Sequence, residues 1–389
     1  MSVSSGDFAS AIKGMMSRTA GVELSATRLL RYIQKQPDFD GTIVGIELDQ
    51  RPRTAGASSG TQLFDIFVEA GGTRTTRRLV FRYDTGATFF KQYDMAAQFE
   101  VMAALNKAGY PVPAVLWLDT KGEIFGGSGM IMQRVEASAP HVLPFEDGPI
   151  IEASPAERRE LLFNIIDVLA RLHDIPPSSL NVPSLHVRGG GATPLEGEIL
   201  WGKREIDIAL EEATLPPERL QRYIVLRERL AEVAAIILAR APTDRPYEVI
   251  HADPGFVNYM TRGAEVAAVL DWEVCQLGYG ESDVSYLLSQ IEFYHQGRAV
   301  TDGVPTREEL IRAYGDMRGE LRDWEFCELF SAWRMANYCM LITSRLPHDQ
   351  QDLEVAYMTS GRERLERTLA AFQQRHAAAP PSRAPAPIH

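Results

Sequence analysis

The chain has 389 residues, about 45% of them apolar, enough for one large globular domain or two to three ordinary ones. A formal net charge of −12 argues against a broad nucleic-acid surface, which needs clustered Lys and Arg, but leaves room for a local positive pocket that takes a phosphate-bearing small molecule. Three cysteines, Cys275, Cys327 and Cys339, are too few and too scattered for a disulfide framework or a thiolate metal site, so a reducing cytoplasm is the expected setting.

In chain order, the start MSVSSGDFASAIKGMMSRTAG has neither a basic beginning nor a sustained apolar core, so no signal peptide is expected. A helix is expected over ATRLLRYIQKQ, within an N-terminal extension at 1–40. The β-rich runs GTIVGIEL, QLFDIFVEA and RRLVFRY follow, separated by Gly, Ser and Thr, with a hairpin turn at Ala70–Gly72. Helical spacing from Tyr93 to Ala108 then gives way to strand character in PVPAVLWLD and SGMIMQRV. These elements predict an antiparallel β lobe with one helix over 41–135, ending at a hinge in Met132–Val135.

Beyond the hinge, helical periodicity dominates 136–376. Ser154 and Glu157 form a capping-box pattern ahead of the apolar stripe Leu161, Leu162, Ile165, Val168, Leu169 and Leu172. A long helix is expected over PERLQRYIVLRERLAEVAAIILARA, then short strands in YEVIH, VNYM and VAAVLD, then helices near 282–294, 307–317, 324–343 and 353–375. No uncharged apolar run approaches about 18 residues, so no membrane span is expected. The Ala- and Pro-rich end at 377–389 reads as a disordered tail. The fold class is α+β, and the cleft at the hinge is the natural ligand site.

Within the short strands lies VIHADPGFVNYM, in which His251, Asp253 and Asn258 have the spacing of a kinase catalytic loop. A strand pair later comes VLDWEV, with Asp271 and Glu273. Two carboxylates and an amide supply hard oxygen ligands suited to Mg²⁺, leaving Asp253 to orient an alcohol. Asp and Asn also favour plain turns, and that alternative is carried alongside.

With these motifs in order, the sequence resembles the aminoglycoside phosphotransferase family, small-molecule kinases similar in fold to eukaryotic protein kinases, from about Gly41 to about Phe372. The resemblance implies a two-lobed kinase-like fold, ATP and Mg²⁺ as cofactors, and a small-molecule hydroxyl substrate. It makes Asp253 the catalytic base, Asn258 and Asp271 the magnesium ligands, and Asp283 a brace beneath the catalytic loop that begins at His251. It places Glu273 in the metal site or beside it. In the β lobe it implies Arg82 as the grip on the α and β phosphates and Glu100 as its helical ion-pair partner. Ser59 and Gly60 belong to the candidate phosphate-covering loop, Gly56 to Ile66, and Gln133 and Val135 to the adenine-contacting hinge.

The sequence departs from the pattern at two places. Arg82 stands where protein kinases have Lys, and it binds phosphate as a planar fork. Ala252 stands where the family commonly has Gly, and its methyl group is expected to require a negative φ. His173 in LARLHDI is expected to be structural. The helix before the β lobe and Arg82 resemble the metabolic branch that includes kinase domains accompanying acyl-CoA dehydrogenases, which implies hydroxy acids or hydroxyacyl thioesters as substrates. The alternatives are an antibiotic kinase, a nucleotide-binding pseudokinase, and a metal-dependent hydrolase using His251. Trp201 and Gly189–Gly191, in the insert at 186–213, either line a substrate wall or cap the core.

Overall fold

The computed structural model describes residues 24–49, 59–86, 90–92, 94–141, 143–185, 188–213, 215–295, 298–344 and 351–376. The expected tail, the residues before 24, and Gly56 to Ser58 of the expected phosphate-covering loop lie outside that set. In the small lobe, β1 (Thr42–Leu48), β2 (Gly60–Ala70), β3 (Thr73–Tyr83), β4 (Val115–Asp119) and β5 (Gly129–Gln133) form an antiparallel sheet in the order β1-β2-β3-β5-β4. Gly71 and Gly72 make the two-residue turn between β2 and β3, both at positive φ, which is the hairpin geometry that glycine favours.

One face of the sheet presents Phe64, Ile66, Val68, Leu79, Phe81 and Ile131, and α1 (Ala26–Gln34) covers it with the fully buried Leu29 and Ile33. The Tyr32 hydroxyl pins this helix by donating to the Leu118 carbonyl at 2.8 Å. Beside the sheet lies α2 (Met95–Lys107), started by Asp94, whose carboxylate accepts from the amides of Ala96 and Ala97. Met95, Val101, Met102 and Leu105 on its inner face join a core that runs from Met130 and Met132 to Trp272 and Cys275.

The large lobe contains α3 (Pro155–His173), α4 (Pro194–Glu212), α5 (Pro217–Arg240), α6 (Gly280–Tyr294), α7 (Arg307–Arg318), α8 (Trp324–Ser344) and α9 (Gln351–His376). The capping box opens α3 as expected, with the Ser154 and Glu157 bonds both present. Between α5 and α6 run β6 (Glu248–Ile250), β7 (Tyr259–Arg262), β8 (Glu265–Val269) and β9 (Gln276–Gly278), paired β6 with β9 and β7 with β8.

Three features differ from the sequence expectation. The insert contains α4, capped by Thr193 with Pro194 at its first position. The expected strand VNYM begins as a 3₁₀ turn at Phe256–Asn258, so β7 starts only at Tyr259. The strand β9 was not expected, because three consecutive buried residues carry no alternation to read.

Candidate active site

The loop after β6 is built on a buried carboxylate. Asp283, in the first turn of α6 and inaccessible to solvent, accepts the amide of His251 at 2.7 Å on Oδ2 and the amide of Ala252 at 3.0 Å on Oδ1. The N-terminal turn of a helix favours negative charge there. His173 Nε2 lies 3.3 Å from Oδ2 and Arg334 Nη1 lies 3.9 Å from Oδ1, while His173 Nδ1 bonds the Tyr314 hydroxyl at 2.8 Å. Burial alone pushes this carboxyl up, but the His173 hydrogen bond and charge, together with Arg334, hold it below the ordinary range.

Ala252 between these bonds has φ +66°, which corrects the expectation of a negative φ. The conformation costs an alanine about 1–2 kcal/mol, which the paired amides and the enclosed methyl offset. Ala252 is fully buried beside Trp201, Ile250, Val274 and Tyr286. Ala252→Gly should therefore melt within about 1 kcal/mol of the parent, because relief of strain balances a lost methyl contact. Ala252→Val, β-branched at positive φ in a closed site, should lose about 3 kcal/mol by denaturant unfolding.

His251 is also buried, and both its ring nitrogens are committed. Nε2 bonds the Leu270 carbonyl at 2.8 Å, and Nδ1 accepts the Asp253 amide at 3.3 Å. This assigns the neutral tautomer protonated at Nε2 and leaves no ring nitrogen for a metal, so the hydrolase alternative loses its ligand. Among the described residues no group of three or more His, Cys, Asp or Glu is placed to hold a metal by itself.

The acidic residues of the two motifs meet through the backbone. Asn258 Nδ2 donates to the Asp253 carbonyl at 2.8 Å, and the Leu270 amide donates to the Asn258 carbonyl at 2.8 Å, so Asp253, Asn258 and Asp271 border one another. The side-chain N–H₂ of Asn258 is spent on the loop, which leaves Oδ1 as the oxygen it could offer a cation. Asp271 itself has φ 64° and ψ 61°, a left-handed conformation that Asp tolerates. Burial raises the Asp253 carboxyl above its ordinary range, and the neighbouring Asp271 charge adds to the rise. The nearby Tyr286 hydroxyl works the other way and lowers it in part.

Arg82, near the end of β3, crosses the cleft to this cluster. Its Nη2 lies 2.6 Å from Asp271 Oδ1 and 3.9 Å from Glu273 Oε2. The expected ion pair with Glu100 is not formed: Glu100 is exposed, and its near neighbour is the Ser184 hydroxyl at 3.5 Å. Two residues on an α-helix are about 200° apart, so the inward polar position on α2 is Gln98, buried among Met95, Val101 and Met102 with no hydrogen-bond partner for either amide atom. Sequence reasoning missed Gln98; the apolar stripe around it was the available signal.

Ser59 is buried with its hydroxyl unpartnered, and Gly60 starts β2 opposite Tyr83, whose ring a Cβ at Gly60 would meet at 2.4 Å. The next pair in register is Thr61 with Arg82, so the described end of the candidate phosphate loop abuts the arginine. At the junction of the lobes, the Gln133 amide donates to the Ala114 carbonyl at 2.8 Å and the Val135 carbonyl accepts the Ala137 amide at 3.2 Å. Ser138 is bridged to Thr261 of β7, which tacks the linker to the strand that follows the Asp253 loop.

Sequence reasoning also missed what α6 does as a whole. Asp283, Tyr286 and Gln290 stand at i, i+3 and i+7, and Gln290 Oε1 accepts the Phe256 amide at 3.4 Å. One helix face thus follows the loop, with Asp283 and Gln290 bonded to it and Tyr286 packed between them, and that spacing of polar residues was visible in the sequence. The arrangement as a whole can orient a hydroxyl at Asp253 and place hard oxygen ligands and a guanidinium beside it.

A sequence model described as a phosphotransferase enzyme family, APH, matches residues 66–330. Acyl-CoA dehydrogenase family member 11 of Pongo abelii is 26% identical over 342 residues, 81% of this chain and 41% of that protein. The chain therefore spans less than half the length of that curated relative. A Ralstonia eutropha protein provisionally described as an aminoglycoside phosphotransferase has a TM-score of 0.62 at 18% identity, covering 90% of this chain and 99% of its own. An ethanolamine kinase of Plasmodium vivax has a TM-score of 0.57 at 14% identity, covering 90% and 89%. These two likenesses show the shared kinase-like fold.

Proposed function

The chain belongs to the phosphotransferase enzyme family, and from that premise we propose that it transfers the γ-phosphate of ATP to a hydroxyl of a small molecule, with Mg²⁺ as the second cofactor. The observation that carries this reading is the convergence of Asp253, Asn258 and Asp271 with Arg82 at the cleft. The donor set fits a divalent cation. Two carboxylates, Asp271 and Glu273, flank one guanidinium, and the Asp271 charge contributes to the upward shift of the neighbouring Asp253.

Asp271 and Asn258 Oδ1 would hold Mg²⁺, which supplies charge neutralisation for the phosphates when bound. Asp253, held by its amide on His251 and its carbonyl on Asn258, accepts the proton of the acceptor hydroxyl as the new P–O bond forms. Arg82 grips the phosphates, and Ser59 and Gly60 approach them from the start of β2. Gln133 and Val135 offer the hinge backbone to adenine. Glu273 backs Arg82, and Asp283 and His251 hold the loop. Glu100, exposed on α2 beside Ser184, stands apart from this site.

The metabolic branch is supported as the source of the substrate by the 26% sequence identity to the acyl-CoA dehydrogenase relative, and a hydroxy acid or hydroxyacyl compound is the corresponding acceptor. No helix among the described residues is long and apolar enough to cross a membrane.

The experiment is a panel of hydroxylated metabolites and aminoglycosides, screened with Mg²⁺ and an ATP analogue for thermal stabilisation and then with ATP for ADP release. One chemical class should raise the melting temperature by several degrees and drive ADP release. Binding of Mg-ATP without phosphoryl transfer to any alcohol would favour the pseudokinase instead. Arg82→Ala should raise the KM for ATP about 10- to 100-fold, the worth of charge-assisted bonds to phosphate.

A further inference from the structure

Between β3 and α2, the segment Phe90–Gln92 leaves the small lobe and lies on α4 of the large one. Its anchor is Glu205, fully buried, which accepts the amides of Lys91 and Gln92 at 2.7 Å each and the Gln92 side-chain amide at 3.1 Å. Lys91 Nζ also pairs with Glu212 at 2.9 Å, and Arg204 donates to Gln92 Oε1 at 3.2 Å. These bonds set Phe90 against Trp201, with ring centroids 5.0 Å apart, and against Tyr338 at 5.5 Å.

The wall so formed adjoins the catalytic loop. Trp201, Tyr286 and Tyr338 pack with Ile250 and with Ala252, the residue before Asp253, in one cluster. Trp201, Tyr286 and Tyr338 are buried, whereas Phe90 is only partly so. The acidic side chains of α4 nearby are already committed: Glu198 to Arg334 at 2.6 and 3.0 Å, Glu205 to the strap, and Asp207 to Arg227 at 2.6 Å and Lys203 at 3.3 Å. A polycationic acceptor needs uncommitted carboxylates, so the surface beside Asp253 suits apolar matter.

Resting on the kinase reading above, we propose that Phe90 is a specificity-determining residue that packs against the apolar part of the alcohol presented to Asp253, and that Glu205 is the positioning residue that pins it. The hydroxyl meets Asp253 while the carbon skeleton lies on the Phe90 face. Because the strap bridges the lobes, its grip on the acceptor depends on α4 and not on the nucleotide.

The probes are butan-1-ol through octan-1-ol, titrated into the full chain with Mg²⁺ and a non-hydrolysable ATP analogue. In the parent protein Kd should fall by up to about fourfold per added carbon over part of the series, the factor that one buried methylene gives. Phe90→Ala should flatten that dependence and weaken octan-1-ol at least tenfold, with affinity for the ATP analogue within twofold of the parent. Glu205→Ala should do the same, Glu205→Gln should recover part of the slope, and so should Phe90→Leu, which also serves if the alanine variants melt early. A chain-length dependence absent from the parent, or retained in folded Phe90→Ala or Phe90→Leu at full strength, overturns the proposal. The kinase reading stands or falls separately, on ADP release across the hydroxylated panel.

Discussion

Replacing Asp253 by Asn should lower kcat by about 10²–10⁴-fold, the usual worth of a positioned acid–base group, with the affinity for Mg-ATP nearly unchanged. Single-turnover phosphoryl transfer and nucleotide titration separate the two effects, and equal loss in both would contradict the role given to Asp253. A second readout tests the electrostatics of the metal-free protein. Burial, then the Asp271 charge, raises the Asp253 carboxyl. Between the ordinary carboxylate range and that raised value, the folded protein holds more protons than the unfolded chain. Stability therefore falls as pH rises through the window and stays reduced above it. The neutral amide of Asp253→Asn carries no such burden, so the variant should melt higher than the parent at neutral pH, with the gap closing as the pH falls into the ordinary carboxylate range.

Asp283→Ala should cost about 3–5 kcal/mol in denaturant unfolding, because it strands two buried amides and removes the anion facing His173 and Arg334. Asp283→Asn should restore part of this, since it retains one acceptor oxygen but turns an N–H₂ toward a donor. The pH dependence has the opposite sign to that of Asp253. His173 and Arg334 outweigh burial and lower the folded carboxyl, so its contribution is complete above the ordinary range and is lost as pH falls through the lowered value. The parent and Asp283→Ala should thus converge in acid. Ala252 couples to this residue, since its positive φ is held by the same carboxylate. Ala252→Gly should be close to neutral in the parent but recover stability in the Asp283→Ala background, a non-additivity that a double-mutant cycle measures.

The family, the kinase-like fold and the order of the elements were legible because each has a local cause. Gly71 and Gly72 make their turn by backbone freedom alone, Ser154 and Glu157 cap α3 within one turn, and β2 and β3 alternate along their own length. The spacing from His251 to Asn258 is likewise local, and it suffices to mark the loop.

Which groups face one another is a different matter. Arg82 finds Asp271 from 189 positions away, and Glu100 yields the inward place on α2 to Gln98 because the side of the helix that packs on the core sets its rotation. Ala252 was expected to avoid positive φ on the strength of its own methyl, a correct preference of about 1–2 kcal/mol. Two hydrogen bonds to Asp283, 31 residues away from Ala252 in the chain, override it. What the sequence determined by itself was most of the elements, α4 and β9 excepted, and the chemistry available to them, since propensity, capping and periodicity act over one or two turns. Only the tertiary structure decided the pairing of Arg82, the strain at Ala252 and the aromatic wall behind Asp253, because burial and long-range hydrogen bonds exist only once the lobes have packed.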